Sequence, residues 1–187
     1  DALPIYTSRV AGRLGTNLCA IEYQNVHNAG AIRIKVIKAC GNAIVSGSID
    51  PTMKGAVRGA WIQDCIFESC LTAPLPQYNN ITGSVIQYGA MLGGIIKGCT
   101  FLDSGGPAID IFNCEGTIID GNYFQGGSRK SSDQSQTVNS IHSDFGLINC
   151  IIKNNIMKSA GPIMLDGMMT PLQGYTYVNP NPPAGIP

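Results

Sequence analysis

One six-residue phrase constrains this chain more than any other feature. Ile119-Asp120-Gly121-Asn122-Tyr123-Phe124 reads as Ile-x-x-Asn-x-Phe, and it recurs. Ile152-Lys153-Asn154-Asn155-Ile156-Met157 repeats it downstream. Ile96-Lys97-Gly98-Cys99-Thr100-Phe101 and Ile62-Gln63-Asp64-Cys65-Ile66-Phe67 repeat it upstream. Ile44-Val45-Ser46-Gly47-Ser48-Ile49 and Ile21-Glu22-Tyr23-Gln24-Asn25-Val26 are looser copies. An aliphatic residue, a turn residue three places on and an apolar residue five places on do not follow a helical period. They describe two short strands meeting at a two-residue bend. The repeat isoleucines 21, 44, 62, 96, 119 and 152 are separated by 23, 18, 34, 23 and 33 residues. The short intervals set the length of one coil, and the long ones carry insertions. Repeats of this period make solenoids, because one unit cannot bury its apolar face without neighbours.

A third short strand follows each bend: Ala31-Ile32-Arg33-Ile34, Val85-Ile86-Gln87-Tyr88, Ala108-Ile109-Asp110-Ile111, Ser140-Ile141-His142-Ser143 and Pro162-Ile163-Met164-Leu165. Each alternates inward and outward with period two. Over about residues 19–166 the pattern resembles the right-handed parallel β-helix family of pectate lyases and bacteriophage tailspikes. The expected fold is therefore all-β: a right-handed, single-stranded parallel β-helix of about six coils with three short parallel sheets. Stacked at about 4.8 Å, six coils make a rod of roughly 29 Å. Residues 1–18 form an N-terminal lead-in or half a coil, residues 19–166 the β-helix, and residues 167–187 a Pro-rich tail or linker. Asn122 and Asn155 are assigned to the left-handed position of the bend, which Asn tolerates and which Gly47 fills without a side chain. The resemblance implies that these asparagines stack in a ladder. Insertions are expected at Ser69 to Gly83 and Gln125 to Asn139, between the bend and the next strand. Uncovered β-helix ends are strand edges, so more chain or partner subunits are expected there.

Twelve Lys plus Arg balance twelve Asp plus Glu. A net charge of zero gives no electrostatic case for nucleic acid or an acidic membrane. No apolar run reaches membrane-spanning length, and no signal peptide opens the sequence. The seven cysteines form no CxxC pair or zinc spacing, so neither a metal nor a cofactor is expected. Cys65 and Cys99 stand at the repeat position later held by Asn122 and Asn155. Cys19 and Cys150 both precede a repeat Ile by two. Stacked, buried free thiols are expected, and they suit folding in a reducing cytoplasm.

The candidate chemistry lies in the outward column of the third strand. Read from the repeat, that column runs Arg33, a cation from the second coil, Gln87, Asp110, His142 and Met164. The second-coil cation is Lys54 or Arg58, with Lys54 giving the better spacing. Two residues further along come Lys35, Gly89, Ile111-Phe112, Asp144 and Asp166. One exposed sheet would thus run from basic to acidic. Paired carboxylates are what glycoside hydrolysis needs, one protonated as acid and one ionised as base or nucleophile. Asp110, Asp144 and Asp166 are the candidate catalytic carboxylates, and His142 would tune or shuttle a proton. Arg33, Lys35, Lys54, Arg58, Gln87 and Tyr88 are the candidate substrate-binding residues, with Trp61 and Tyr88 offering rings for stacking. Arg33-Ile34-Lys35 is similar to the Arg-Ile-Lys of polygalacturonases, but the accompanying Asn-Thr-Asp, Asp-Asp and Gly-His-Gly elements are missing.

The resemblance implies a tailspike-type rod that binds, and as an enzyme would depolymerise, bacterial surface polysaccharide. It would act as a homotrimer in a virion tail, joined at its ends to further tail protein. The alternatives are a secreted lyase or epimerase of uronic-acid polymers and a non-catalytic structural rod.

Overall fold

The computed structural model describes residues 4–6, 19–23, 26–39, 41–47, 55, 57–72, 84–127, 140–143, 146–161, 163–165, 168–170 and 176–178. Among these residues there is no helix, only short strands, turns and bends. The chain winds through three parallel sheets in turn. Sheet I stacks β2 (Ile21–Tyr23), β5 (Ile44–Gly47), β8 (Ile86–Gly89), β11 (Ile109–Phe112), β14 (Ile141–Ser143) and β17 (Ile163–Leu165). Sheet II stacks β3 (Gly30–Ile32), β6 (Trp61–Gln63), β9 (Ile95–Lys97), β12 (Ile118–Asp120) and β15 (Ile151–Lys153). Sheet III stacks β1 (Pro4–Tyr6), β4 (Lys35–Ile37), β7 (Ile66–Glu68), β10 (Thr100–Leu102), β13 (Tyr123–Gln125) and β16 (Ile156–Lys158). This is a parallel β-helix, as the repeat predicts. β1 pairs with β4, so the lead-in supplies a strand of the rod. After β17 the parallel winding gives way to an antiparallel hairpin of β18 (Met168–Thr170) and β19 (Thr176–Val178).

Each coil turns at corners held in the left-handed region. One file of corners is Arg33, Asp64, Gly98, Gly121 and Asn154; a second is Asn28, Gly59, Gly93, Gly116 and Asn149; a third is Lys38, Ser69, Asp103, Gly126 and Ser159. All fifteen have positive φ. Gly, Asn and Asp dominate these files because they reach this region at least cost. Corner N–H groups donate to the next coil, as Asp64 to the Lys97 carbonyl (3.0 Å), Gly98 to Asp120 (3.1 Å) and Ser69 to Leu102 (2.9 Å). The left-handed residue is thus Gly121 or Asn154, one place before the asparagine, and not Asn122 or Asn155 as the sequence suggests. The asparagines turn inward instead.

There they form the expected ladder. Asn122 Nδ2 donates to the Ile96 carbonyl (3.1 Å) and to Asn155 Oδ1 (3.0 Å), while Asn122 Oδ1 accepts the Cys99 N–H (2.9 Å). Asn155 repeats the motif, with Nδ2 on the Ile119 carbonyl (3.1 Å) and Oδ1 on the Asn122 N–H (3.0 Å). Cys65 and Cys99 continue the file by donating to the equivalent carbonyls of Ala31 and Ile62, each at 3.7 Å. Beside the ladder runs a file of apolar rings. Phe67, Phe101 and Phe124 stack with centroids 5.0 and 4.9 Å apart. Ile62, Ile96 and Ile119 of sheet II and Ile44, Ile86, Ile109 and Ile141 of sheet I complete the core.

Ile21 and Ile44 belong to sheet I, where they pair with each other and with Ile86. They are not copies of the bend phrase. Ala31 takes the place beside Ile62 in sheet II. An inward isoleucine opens strands in both sheets, so that residue alone does not say which sheet it joins. The true marker is Cys or Asn three places on with an aromatic or Met five places on. Both loose copies lack it. For the same reason Cys19, ahead of β2, and Cys150, ahead of β15, stand in different files.

Cys65, Cys70, Cys99 and Cys114 are buried, while Cys19 and Cys150 are half-buried; all six are free. Burial pushes the Cys114 thiol up to about 12, and the bond with Cys65, with burial, pushes the Cys99 thiol up as well. The same bond lowers the Cys65 thiol to about 7, so the test rests on the other buried thiols: a thiol reagent at mildly alkaline pH is expected to leave Cys70, Cys99 and Cys114 unmodified in the native chain and to modify them once guanidinium unfolds it. Mapping the labelled residues by mass spectrometry checks this. Rapid native labelling of Cys99 would contradict the burial.

Candidate functional site

The outer face of sheet I is read off its pairing. Glu22 aligns with Val45, Val45 with Gln87, Gln87 with Asp110, Asp110 with His142 and His142 with Met164. Period-two alternation turns Glu22, Val45, Gln87, Asp110 and His142 away from the isoleucine core. The structure thus brings Gln87, Asp110 and His142 into one column, as the sequence predicts. His142 Nδ1 lies 3.3 Å from Asp110 Oδ1, and each side chain is 17% exposed. A carboxylate facing Nδ1 favours the tautomer with its proton on that nitrogen, and it orients the ring. Gln87 is held from the side: Asn42 Nδ2 donates to its Oε1, and Asn42 Oδ1 accepts the Ser84 N–H at 3.0 Å.

Two apolar residues on this outer face are also hidden. Val45 and Phe112 are each only 4% exposed, yet neither belongs to the central core cluster. Phe112 aligns with Gly89, and Gly89 with Gly47. At Gly47 a side chain would run into the Gly89 carbonyl, and its φ of 85° independently favours glycine. The polar row is therefore flanked by covered apolar surface rather than lying on an open sheet. Sequence reasoning missed Asn42, Val45 and Glu22, and placing Ile44 in line with Ile86 would have found all three.

Several expected site residues stand elsewhere. Arg33 is a left-handed corner between sheets II and III, its N–H bonded to the Gln63 carbonyl. Lys35 opens β4 on sheet III and pairs with Glu68 at 2.7 Å. Both left the predicted column when Ala31–Ile34 proved to belong to sheet II and its corner. Arg58 is no sheet I residue either. It belongs to a file of single bridges, His27, Arg58, Leu92, Glu115 and Ile148, between sheets I and II, and its Nε donates to the Gly55 carbonyl (3.1 Å). The basic-to-acidic gradient along one sheet is thus replaced by a row with Glu22 at its N-terminal end and no Lys or Arg among its described members. Tyr88 is fully buried in the core, its hydroxyl donating to the Ile95 carbonyl (3.4 Å), and burial pushes its phenol well above the ordinary range. A ring so placed cannot stack on a sugar. Trp61 is half-exposed on sheet II, packed over Gly30, where any side chain would strike the indole and the Trp61 carbonyl.

Lys54, Asp144 and Asp166 lie outside the described residues. The strands leading to the two aspartates do pair, Ser143 with Leu165. Among the described residues no group of His, Cys, Asp and Glu could hold a metal ion, and no helix is long and apolar enough to cross a membrane. A separate cleft between sheets III and I is lined by Ser104, Ser140, Gly126 and Gly127. It does not include Asp110 or His142.

Chemically, the row offers a carboxylate, an oriented imidazole and a fixed amide about one coil spacing apart. That set combines hydrogen-bond donors and acceptors and includes no Lys or Arg among its described members. No family model, no curated protein and no solved structure matches the chain.

Proposed function

We propose that this chain is part of a tailspike-type β-helical rod that binds bacterial surface polysaccharide along the outer face of sheet I. The observation that carries the reading is the Asp110–His142 contact, continued by the clamped Gln87 in the same column. A polysaccharide repeats along its length, and a β-helix repeats its side chains about every 4.8 Å. A row of polar groups one coil apart fits such a ligand, with sugar hydroxyls meeting Gln87, Asp110 and His142. The lyase alternative loses its motivation, because Arg33 and Lys35 do not stand on the sheet that carries Asp110.

The test is retention of the purified chain on an array of capsular and O-antigen polysaccharides, with affinity electrophoresis on the best hit. Asp110→Asn and His142→Ala are each expected to weaken binding about tenfold or more, roughly 1.4 kcal/mol. Lys153→Ala, on sheet II, is expected to leave it unchanged. No retention by the wild-type chain, or equal retention by all variants, would defeat the proposal. A reducing-end assay on the same polysaccharide reports whether binding leads to hydrolysis.

A further inference from the structure

The rod presents an open cross-section at the edge formed by β15, β16 and β17. These are the last strands of sheets II, III and I, and among the described residues each has a strand neighbour on one side only. The core files run on to this edge. Ile152 aligns with Ile119, Met157 with Phe124 and Ile163 with Ile141. Ile119, Phe124 and Ile141 are 0–2% exposed, whereas Ile163 is 42% and Leu165 47% exposed. Ile152 and Met157 are half-buried. The described residues that follow do not continue the winding, because β18 and β19 form an antiparallel hairpin outside the three sheets.

We infer that this edge docks a β-helical coil of a different polypeptide, one that carries an inward asparagine between an inward aliphatic residue and an inward ring. The interface between coils inside the rod defines the occupant. At each step of the ladder the later asparagine donates Nδ2 to an isoleucine carbonyl of the earlier coil, and its Oδ1 accepts an N–H from that coil. Asn122 serves Ile96 and Cys99 in this way, and Asn155 serves Ile119 and Asn122. The edge presents the earlier half of the same step, the Ile152 carbonyl and the Asn155 N–H. An incoming asparagine completes it, while its aliphatic and aromatic neighbours cover Ile152 and Met157. This is strand addition on an open edge, in which main-chain bonds supply affinity and alternate side chains supply specificity.

A second copy stacked head to tail does not meet this requirement. One coil nearer the N-terminal end than Cys65, the ladder file holds Ile34. The amide side chains of the file, Asn122 and Asn155, stand toward the other end. The occupant is therefore a separate β-helical segment and not the opposite end of this rod. Docking is axial, so it leaves the outer faces of the three sheets free, the Asp110–His142 row included. Strand edges over an apolar floor are what natural proteins keep covered.

The probe is a synthetic peptide with the sequence of residues 115–127, which carries Ile119, Asn122 and Phe124. It is added to the full chain labelled at its methionine methyl groups. The Met157 resonance is expected to shift saturably with a Kd of about 1 mM or below, and that of Met91, fully buried in the core, to stay in place. A peptide with Asn122→Leu keeps the apolar contacts but leaves the Ile152 carbonyl and the Asn155 N–H unpaired. It is expected to bind at least about fivefold more weakly. In the free chain a soluble paramagnetic agent is expected to broaden Met157, and the bound peptide to protect it. No saturable shift at Met157, equal binding of the two peptides, or a Met157 methyl already shielded in the free chain would overturn the inference. Head-to-tail filaments of the chain alone in sedimentation velocity would overturn it too, by assigning the edge to a second copy.

Discussion

Phe101→Ala is expected to lower the stability of the rod by about 3–5 kcal/mol, the range for truncating a fully buried aromatic ring. Phe101 is the middle ring of three, stacked 5.0 Å from Phe67 and 4.9 Å from Phe124. Its loss removes two ring contacts and leaves a void sealed by coils above and below. The coils cannot close that void without breaking the ladders of all three sheets. In a solenoid each coil meets only its neighbours, so a gap at the centre uncouples the two halves. Equilibrium unfolding in guanidinium, followed by far-ultraviolet dichroism, measures the change. Phe101→Leu keeps most of the volume and should cost about 1–1.5 kcal/mol. A loss below about 1 kcal/mol for the alanine variant would mean that the ring file is not a structural element.

Asn122→Ala is the second large effect, expected at about 2–4 kcal/mol. Its side chain is 1% exposed and serves the Ile96 carbonyl, the Cys99 N–H and Asn155 Oδ1. Alanine leaves these buried groups without that partner, and the penalty is their desolvation rather than the mean worth of a hydrogen bond. Asn122→Cys separates the two contributions. Cys65 and Cys99 already occupy the same file and donate to the same kind of carbonyl. The thiol retains the donor to Ile96 but loses an acceptor for the Cys99 N–H. Asn122→Cys is thus expected to cost about half as much as Asn122→Ala in the same guanidinium experiment. Equal costs would show that the thiols of this file contribute packing and no hydrogen bond.

The fold was legible because the bend phrase combines three demands: an inward isoleucine, an inward hydrogen-bonding residue and an inward aromatic ring or methionine. Their spacing admits few backbones. Where all three were present, at Ile62, Ile96, Ile119 and Ile152, the strand was placed correctly. Where only the isoleucine remained, at Ile21 and Ile44, the strand went to the wrong sheet. With Ile21 and Ile44 taken as bend copies, Arg33 and Lys35 fall into the candidate site and Val45 and Asn42 drop out of it. The same placement conceals the long stretch from Gly47 to Arg58, which replaces the short step from Gly89 to Leu92. The Asp110–His142 contact was legible because both follow an inward isoleucine on adjacent coils, and alternation then fixes their side. The burial of Val45 and Phe112 was not, since it depends on what lies over the sheet and leaves no periodic trace. The burial of Tyr88 was legible, because a phenol two residues from an inward isoleucine returns to the core by the same alternation that sends Gln87 out.

The chain has two histidines, and they occupy different places on the rod. His142 is in the polar row of sheet I, and His27 is exposed at the first corner of the bridge file. The imidazole Cε1–H resonances of a selectively labelled sample therefore report on the proposed site and on a built-in control. Titration with the retained polysaccharide, cut to short oligosaccharides, is predicted to shift or broaden the His142 resonance and to leave His27 unmoved. A saturable shift at His27 alone, or binding that moves neither resonance, would contradict the placement of the ligand on the Asp110–His142 row.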